Sequence, residues 1–289
     1  MQELLREKNM VNQEQERNFN FLNVKKNMND LNINDLIDSG AHYGHPVSKW
    51  NPKFKQFIIN KKNGIHVIDL KSTLKYLETA VKELVKISEK GGNILFVGTK
   101  SQAKEVIQDA ADKCGMFYIV ERWLGGTLTN FSTIKKSIRR LKTLEKESSD
   151  IYKDITKKEK GMLSREKIKL SDLHRGIKDM KYLPNALFVV DAKHESIAIA
   201  EAKCLGIPTF GIVDTNTDPF LVDYPIPAND DSIKAIKLII SHVAHSIYDS
   251  IGAKKIDTIE ENSSLKEEIQ EDQDALESSK EISKSNQEK

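Results

Sequence analysis

Short apolar runs alternate with amphipathic stretches along most of the chain, and this alternation constrains the fold more than any other feature. Four such runs lie at Asn93–Val97, Met116–Val120, Asn185–Asp191 and Thr209–Val213. Each has the length of a single strand, and apolar residues recur at helical spacing between them. Strands of a parallel sheet are buried on both faces and are joined by helices. The pattern therefore predicts an α/β fold with helices on both faces of a parallel sheet.

The two ends of this alternation are also predicted. It begins with a strand at Ile65–Leu70, and Ser72 or Thr73 is predicted to cap the helix that follows. At the other end, the segment Asp223–Asp231 predicts a short edge strand and a helix cap. A long amphipathic helix, about Ser232–Ile251, then closes the domain.

A highly charged segment, residues 132–183, interrupts the sheet pattern. Its apolar residues recur at helical spacing from Ile134 to Leu144, and again after a break that we predict near Gly161. From Phe131 to Tyr182 the sequence holds sixteen basic and eight acidic residues, a net charge of +8. The segment is predicted to be a helical hairpin inserted in the sheet domain. A solvated, charged helix pair without a ligand would show the same pattern.

The formal net charge of +2 hides an asymmetry between the body and the C-terminal segment. Residues 257–289 hold eleven acidic and four basic side chains, a net of −7, so the remaining chain carries +9. A basic body suggests a polyanionic partner. Residues 1–27 and 254–289 are predicted to be a disordered extension and a disordered acidic tail, which leaves residues 28–253 as the domain. Translation could start at Met1 or Met28.

Several classes of protein are disfavoured by the sequence. No apolar run approaches the eighteen or so residues that a membrane-spanning helix requires. The first residues lack the apolar centre of a signal peptide, which argues for the cytoplasm. Cys114 and Cys204 lie in apolar or helical sequence, so we expect core thiols in a reducing compartment and neither a disulfide nor a metal site.

Two loops combine basic and aromatic side chains. The first, Ala41–Lys55, contains Pro and Gly and interleaves lysines with aromatic residues, namely Lys49, Lys53 and Lys55 with Tyr43, Trp50 and Phe54. Lysines neutralise phosphates and aromatic rings stack on unpaired bases, so the alternation suits single-stranded or looped RNA. The second, Arg122–Asn130, offers a guanidinium fork, a Trp and the pair Gly125-Gly126, which allows close backbone approach. The alternative is a loop whose Trp123 covers the core.

Three further motifs leave enzymatic alternatives open. Gly98-Thr99-Lys100-Ser101 follows a strand and opens a helix, which suits a phosphate or a plain helix cap, but the Walker spacing is absent. His42-Tyr43-Gly44-His45 has the spacing of a nucleotidyl-transfer signature, yet it lacks the preceding strand, and a zinc site there lacks further ligands. Asp191 and Asp214 follow strands and suit either a ligand site or loop capping.

Motifs in fixed order carry a family resemblance from about Met28 to about Ile251. They are Gly40–His45, Trp50–Pro52, Asn63–Leu70, Ile94–Lys100, Arg122–Asn130, Gly176–Met180, Leu183-Pro184 and Ile212–Pro219. Together they resemble the bacterial small-subunit ribosomal protein S-two family. The one departure is Pro46-Val47-Ser48, where the family usually carries a basic or polar pair.

The resemblance implies a flavodoxin-like, three-layer α/β/α domain with an inserted α-helical coiled-coil hairpin. It implies a structural, non-enzymatic component of the small ribosomal subunit that binds small-subunit rRNA between head and body. Neighbouring subunit proteins would be partners, including the large mRNA-binding protein S-one, whose docking the family supports. No cofactor, metal, membrane or small-molecule substrate is implied. The competing hypotheses are a nucleotide-dependent α/β enzyme and a protein-binding adaptor.

RNA-binding residues follow from charge, loop placement and motif match. The predicted set is His42, Tyr43, His45, Lys49, Trp50, Lys53, Lys55, Lys100, Arg122, Trp123, Gly125, Gly126, Thr127, Asn130, Lys135, Lys136, Arg139 and Arg140. The cations would neutralise phosphates and give a salt-dependent affinity, whereas the aromatic rings would stack or wedge.

Overall fold

The computed structural model describes residues 31–146 and 156–252, so the predicted extension 1–27 and acidic tail 254–289 lie outside the described residues. The strands are β1 (Tyr43–Pro46), β2 (Ile58–Lys62), β3 (Ile65–Ile68), β4 (Ile94–Val97), β5 (Phe117–Ile119), β6 (Ala186–Val190), β7 (Thr209–Val213) and β8 (Tyr224–Pro227). The helices are α1 (Ile33–Asp38), α2 (Leu70–Glu89), α3 (Lys104–Cys114), α4 (Phe131–Glu145), α5 (Lys157–His174), α6 (Ser196–Cys204) and α7 (233–252). None of these described helices is long and apolar enough to cross a membrane.

Five strands form one parallel sheet in the order β5-β4-β6-β7-β8. Numbered along the chain within this sheet, the order is 2-1-3-4-5, the order of flavodoxin-like folds. The α/β prediction is therefore confirmed, and the strand order is consistent with the flavodoxin-like expectation. The predicted edge strand is β8, and the predicted closing helix is α7.

Alternation of side chains along the strands divides the core into two apolar clusters, one on each face of the sheet. Ile94 and Phe96 of β4 join a cluster with residues of α2, α3 and α7. Leu95 and Val97 of the same strand join the other cluster, with residues of α4 and α6. Helices thus cover both faces, which explains why the strands are apolar throughout.

The predicted strand at Ile65–Leu70 belongs to a different sheet. It is shorter, β3, and it is the central strand of an antiparallel three-stranded sheet with β1 and β2. Helix α2 then begins earlier than predicted, because Asp69 is its cap and accepts a hydrogen bond from the Lys71 amide at 3.1 Å. Thr73 is fully buried and donates to the Pro227 carbonyl instead, at 2.5 Å. An apolar run identifies a strand but not its partners.

The inserted segment contains two helices, α4 and α5, that pack on each other. Arg140 donates two hydrogen bonds to the Glu166 carboxylate, at 2.9 and 3.0 Å, and Ser137 Oγ lies 2.8 Å from His174 Nε2. The predicted break near Gly161 is wrong, because this residue lies inside α5, which begins at a capping box of Thr156 and Glu159. The coiled-coil geometry stays a prediction.

Cysteine placement differs from the expectation at one position. Cys114 is a buried core thiol, and burial raises its pKa to about 12. Cys204 is exposed at the end of α6 and is not a core residue. A helical position alone does not distinguish the buried face of a short helix from its exposed face.

A glycine at the end of the hairpin lies directly against the sheet. A Cβ atom on Gly176 would lie far inside van der Waals contact with the carbonyl oxygen of Tyr118 in β5. We expect Gly176→Ala to lower the free energy of unfolding by about 1–3 kcal/mol, since neither backbone yields easily. Urea unfolding would measure this.

Gly161→Ala is the matched control, since nothing lies within 4 Å of a Cβ there. Alanine inside a helix is expected to raise stability by up to about 1 kcal/mol. Equal changes in the two variants would contradict the close approach at Gly176.

Candidate nucleic-acid interface

The loop Arg122–Asn130 is organised by one buried carboxylate, that of Glu201 on α6. Its Oε1 accepts hydrogen bonds from the Trp123 indole at 3.0 Å and the Gly126 amide at 2.7 Å. Its Oε2 accepts from the amides of Leu128 and Thr129, at 2.9 and 3.1 Å, and from the Thr129 hydroxyl at 3.2 Å. Five donors from one loop therefore converge on a single side chain.

This arrangement favours the charged form of Glu201. Burial acts to raise the pKa of its carboxyl, but the hydrogen bonds from Trp123 and three backbone amides outweigh burial and hold the pKa below its usual range. Gly126 has a φ of +86°, which glycine adopts without strain, so the loop can turn its amide toward the carboxylate. The loop conformation is thus fixed by the domain itself.

Two predicted contact residues serve this internal structure. Trp123 is 8% exposed, with its indole nitrogen hydrogen-bonded to Glu201, so its ring covers the core as in the alternative interpretation. Thr127 is 2% exposed and its hydroxyl donates to the Leu124 carbonyl at 2.5 Å. In this conformation neither side chain presents a surface to a ligand.

The loop does expose other predicted residues. Arg122, Gly125 and Asn130 lie at the surface, and Gly126 is half-buried. The Asn130 side-chain oxygen accepts hydrogen bonds from the hydroxyls of Ser132 and Thr133, at 3.2 and 2.9 Å, at the start of α4. The exposed part of the loop therefore leads directly into the hairpin.

Helix α4 extends this surface with cations. Lys136 and Arg139 are exposed, whereas Arg140 is half-buried and is neutralised by Glu166. The Lys135 ammonium lies over the Phe131 ring, 4.8 Å from its centroid, and 5.9 Å from that of Tyr182. Sequence reasoning missed Tyr182, which is 74% exposed and adds an aromatic surface beside Lys135.

The Ala41–Lys55 loop is partly structured by β1. Lys49, Lys53 and Lys55 are exposed, as is Tyr43. The Lys53 ammonium pairs with the Asp218 carboxylate at 2.6 Å, which reduces its positive field. These cations remain predicted phosphate ligands.

The two aromatic neighbours in this region differ from the lysines in exposure. Trp50 is half-buried, with its ring centroid 4.9 Å from that of His66. His42 is half-buried too. Burial lowers the pKa of its imidazole, and the nearby charge of Lys62 lowers it further, so His42 is neutral near pH 7. His42 therefore contributes no charge to a phosphate contact.

Lys100 lies in a different environment from the other predicted cations. Its ammonium is 2.6 Å from carboxylate oxygens of both Asp230 and Asp231, and 3.4 Å from one of Asp191. Burial acts to lower the pKa of Lys100, but these carboxylates raise it. Its charge is already balanced inside the fold, so Lys100 is not available to a phosphate in this conformation.

His45 belongs to the same cluster. Its Nδ1 lies 2.9 Å from the Asp214 carboxylate, and the Asn216 side-chain nitrogen lies 3.1 Å from its Nε2. The hydrogen bond to Asp214 raises the pKa of the imidazole despite burial. Ligand atoms of His45, Asp214, Asp230 and Asp231 lie within 4.8 Å of one another, a set that could hold a cation. The Lys100 ammonium already supplies a positive charge there.

The comparison with known proteins decides the family. The profile described as ribosomal protein S2 matches residues 36–250, which is most of the chain. The chain belongs to the ribosomal protein S2 family. It is 50% identical over 246 residues to the small ribosomal subunit protein uS2 of Chloroherpeton thalassium, covering 85% of this chain and 98% of that protein. It is 48% identical over 238 residues to the uS2 of Fusobacterium nucleatum, covering 82% and 96%.

Membership of the ribosomal protein S2 family excludes the enzyme hypothesis, because this family is structural and non-enzymatic. The fold gives a physical reason. Open parallel sheets bind nucleotides where the strand order reverses, here between β4 and β6. Three carboxylates already pair with the Lys100 ammonium near these strand ends, and Asp214 lies beside two of them, so the lining is acidic and disfavours a phosphate.

The structure of this ribosomal protein S2 family member shows which residues sequence reasoning missed. The sequence does not identify Glu201 as a functional residue, because a single glutamate in a helix looks the same as one that is exposed to solvent. Tyr182 lies between the motifs Gly176–Met180 and Leu183-Pro184, although an exposed aromatic residue next to basic residues is a usable signal. Arg165 and Lys169 on α5 were counted only in the net charge of the hairpin.

Proposed function

We propose that this chain is a structural constituent of the small ribosomal subunit and binds small-subunit rRNA on the surface formed by the loop Arg122–Asn130 and helix α4. One observation carries the proposal. Arg122, Lys136 and Arg139 are exposed and have no carboxylate partner within residues 31–146 and 156–252. Exposed cations without carboxylate partners, on a surface where Tyr182 lies close to Lys135 of α4, suit a phosphate backbone with accessible bases.

The preformed conformation of the loop and the anchoring of α4 also support rRNA binding. The Glu201 carboxylate holds the loop before any ligand binds, so little conformational entropy is lost on binding. Helix α4 is anchored by Ile134 and Ile138 in the core, which leaves its opposite face for the ligand. The cytoplasmic ribosome would be the location of such a protein, and the names of its relatives assign those proteins to the small ribosomal subunit.

The finer expectations from the family resemblance are part of this proposal. The rRNA would lie between the head and body of the subunit, and the chain would support docking of the protein S-one. An exposed apolar stripe on α6, formed by Ile197 and Cys204 beside a groove of about 320 Å³, is a surface available for protein contact. Small subunits assembled without this chain should then bind less S-one in a co-sedimentation assay, and unchanged S-one binding would contradict the docking proposal.

The rRNA proposal is tested by removing the uncompensated cations. We expect the triple variant Arg122→Ala, Lys136→Ala and Arg139→Ala to bind small subunits that lack this chain about 10–100-fold more weakly than the native protein. The slope of log affinity against log salt should fall by about 2–3, because each lost phosphate contact removes about 0.9 for a B-form duplex and about 0.7 for a single strand. Sedimentation of labelled protein with these subunits, at several salt concentrations, measures both quantities.

The charge-matched control removes three lysines from the opposite side of the sheet. Lys71, Lys75 and Lys82 are exposed on α2, which packs on the other apolar cluster. Their replacement by alanine should leave the salt slope near the native value. An equal loss in both variants would place the interface elsewhere, and no binding of the native protein would contradict rRNA binding itself.

A further inference from the structure

A groove separates the loop Arg122–Asn130 from helix α5. One wall is formed by Arg122 and Leu124, and the other by Arg165, Ile168, Lys169 and Leu173 of α5. Its volume is about 590 Å³, within the range of about 300–1,000 Å³ that small ligands occupy in proteins. We refer to this feature as the hairpin groove.

The hairpin groove is positively charged. Arg122, Arg165 and Lys169 are exposed and take part in no ion pair among residues 31–146 and 156–252. Asp172 is the acidic residue that lines the groove, so the lining charge is three positive against one negative. The surrounding hairpin segment, with a net charge of +8, reinforces this field. A ligand with at least two negative charges fits this surface.

The walls between the cations are apolar. The Ile168 side chain is 59% exposed, and Leu124 and Leu173 are half-buried against the same space. An acidic peptide would satisfy the cations but not these walls, and an RNA duplex keeps its bases stacked inside. An unpaired nucleotide offers both a flat, weakly polar base and flanking phosphates.

We propose that the hairpin groove binds an unpaired nucleotide of RNA, with its base against Leu124 and Ile168 and its flanking phosphates near Arg122, Arg165 and Lys169. This proposal rests on the proposed rRNA-binding function and specifies the kind of RNA. It assigns roles to Arg165, Ile168 and Lys169, which the sequence motifs did not single out. Helix α5 thereby contributes to recognition as well as α4.

The test uses the full chain and two labelled RNA hairpins with the same stem, each closed by a linker without bases, one with a single-nucleotide bulge and one fully paired. Fluorescence anisotropy measures affinity for each. Ile168→Ser is expected to weaken binding of the bulged hairpin about 5–10-fold and to leave the paired hairpin within twofold, because only the bulged hairpin offers a free base.

Matched controls lie on the same helix. Met162 is also 59% exposed on α5 but does not line the groove, so Met162→Ser should change neither affinity. A double variant, Arg165→Ala with Lys169→Ala, removes two cations of the groove. Its control, Lys158→Ala with Lys160→Ala, removes the same charge from the start of α5. The first double variant should bind the bulged hairpin about 10-fold more weakly than the control.

The possible results separate a failure of the nucleotide site in the groove from a failure of rRNA binding as a whole. If Ile168→Ser and Met162→Ser bind the bulged hairpin equally, the nucleotide site is excluded while rRNA binding stands. If poly-glutamate displaces the bulged and the paired hairpin equally well, the groove binds acidic protein segments instead. Absence of native binding to both hairpins and to small subunits would overturn the proposed function itself.

Discussion

Replacing Glu201 with glutamine is expected to lower the free energy of unfolding by about 3 kcal/mol or more, although the two side chains have almost the same shape. Both oxygens of the Glu201 carboxylate accept hydrogen bonds, and each accepts one from a buried donor, the Trp123 indole on one side and the Leu128 amide on the other. The carboxamide of glutamine keeps one oxygen as an acceptor. Its NH2 group replaces the second oxygen and faces the donors that this oxygen had bound. Two backbone amides, or one amide and an indole, would then be left without partners, at about 1–3 kcal/mol each.

The control for this substitution is Glu195→Gln at the start of the same helix. Glu195 is also buried, at 3% exposure, but the amide and hydroxyl of Thr99 both donate to its Oε1 alone, at 2.8 and 2.6 Å. Glutamine retains that oxygen, so we expect a change of only about 1 kcal/mol. Urea unfolding compares the two variants, and equal losses would show that the donor count at Glu201 does not matter.

The effect of Glu201→Gln should also depend on pH. Because the folded pKa of Glu201 is depressed, its stabilising contribution is present above the unfolded pKa of about 4.3 and is lost as the pH falls through the folded value. The stability difference between native protein and variant should therefore narrow below about pH 4.5. A difference that stays constant down to pH 3 would contradict the assignment of a charged carboxylate.

Replacing Lys100 with methionine is expected to lower the free energy of unfolding by about 3–5 kcal/mol at pH 8, because it leaves buried carboxylates without their counter-charge. Asp230 is fully buried, and its neighbours Asp191, Asp214 and Asp231 add negative charge. Lys104→Met is the control, since its ion pair with Glu121 is about a third exposed. An exposed pair of this kind contributes at most about 1 kcal/mol.

The pH dependence of this loss has a definite sign. Burial, with Asp214 and Asp191, raises the pKa of Asp230 to about 7, so Asp230 opposes folding increasingly as the pH rises from about 4 to 7. The Lys100 ammonium limits this rise of the Asp230 pKa, and removing it extends the unfavourable range above pH 7.

The stability of Lys100→Met should therefore fall more steeply between pH 6 and 8 than that of the native protein. His45 also faces the cluster, and its raised pKa moderates the loss toward pH 6. Adding Asp230→Asn should recover part of the loss. No recovery, or a loss independent of pH, would contradict the charge argument.

The sheet was predictable because its signal is local. Strands such as β4 and β6 are buried on both faces, and their residues are apolar without alternation. Strand β3 was recognised but assigned to the wrong sheet, since pairing with β1 and β2 depends on contacts that an apolar run does not encode. Gly161 was read as a break, although the capping box at Thr156 and Glu159 was visible in the sequence.

The site was less predictable because its determinants are distant in sequence. Arg122 and Lys136 were identified from charge, and their exposure agrees with that interpretation. Trp123 and Lys100 look equally available in the sequence, yet Glu201 and Asp230 hold them, 78 and 130 residues away along the chain. Only the fold reveals which cations and rings are already used internally.

The hydrogen bonds to Glu201 also set an order of events during synthesis. The loop Arg122–Asn130 and both hairpin helices leave the translating ribosome before α6, which carries the acceptor for the loop amides. Until α6 has emerged and docked on the sheet, these amides have no carboxylate to bind. A nascent chain therefore displays the hairpin cations before it displays an ordered loop, and the complete surface arises only when translation of the domain is nearly finished.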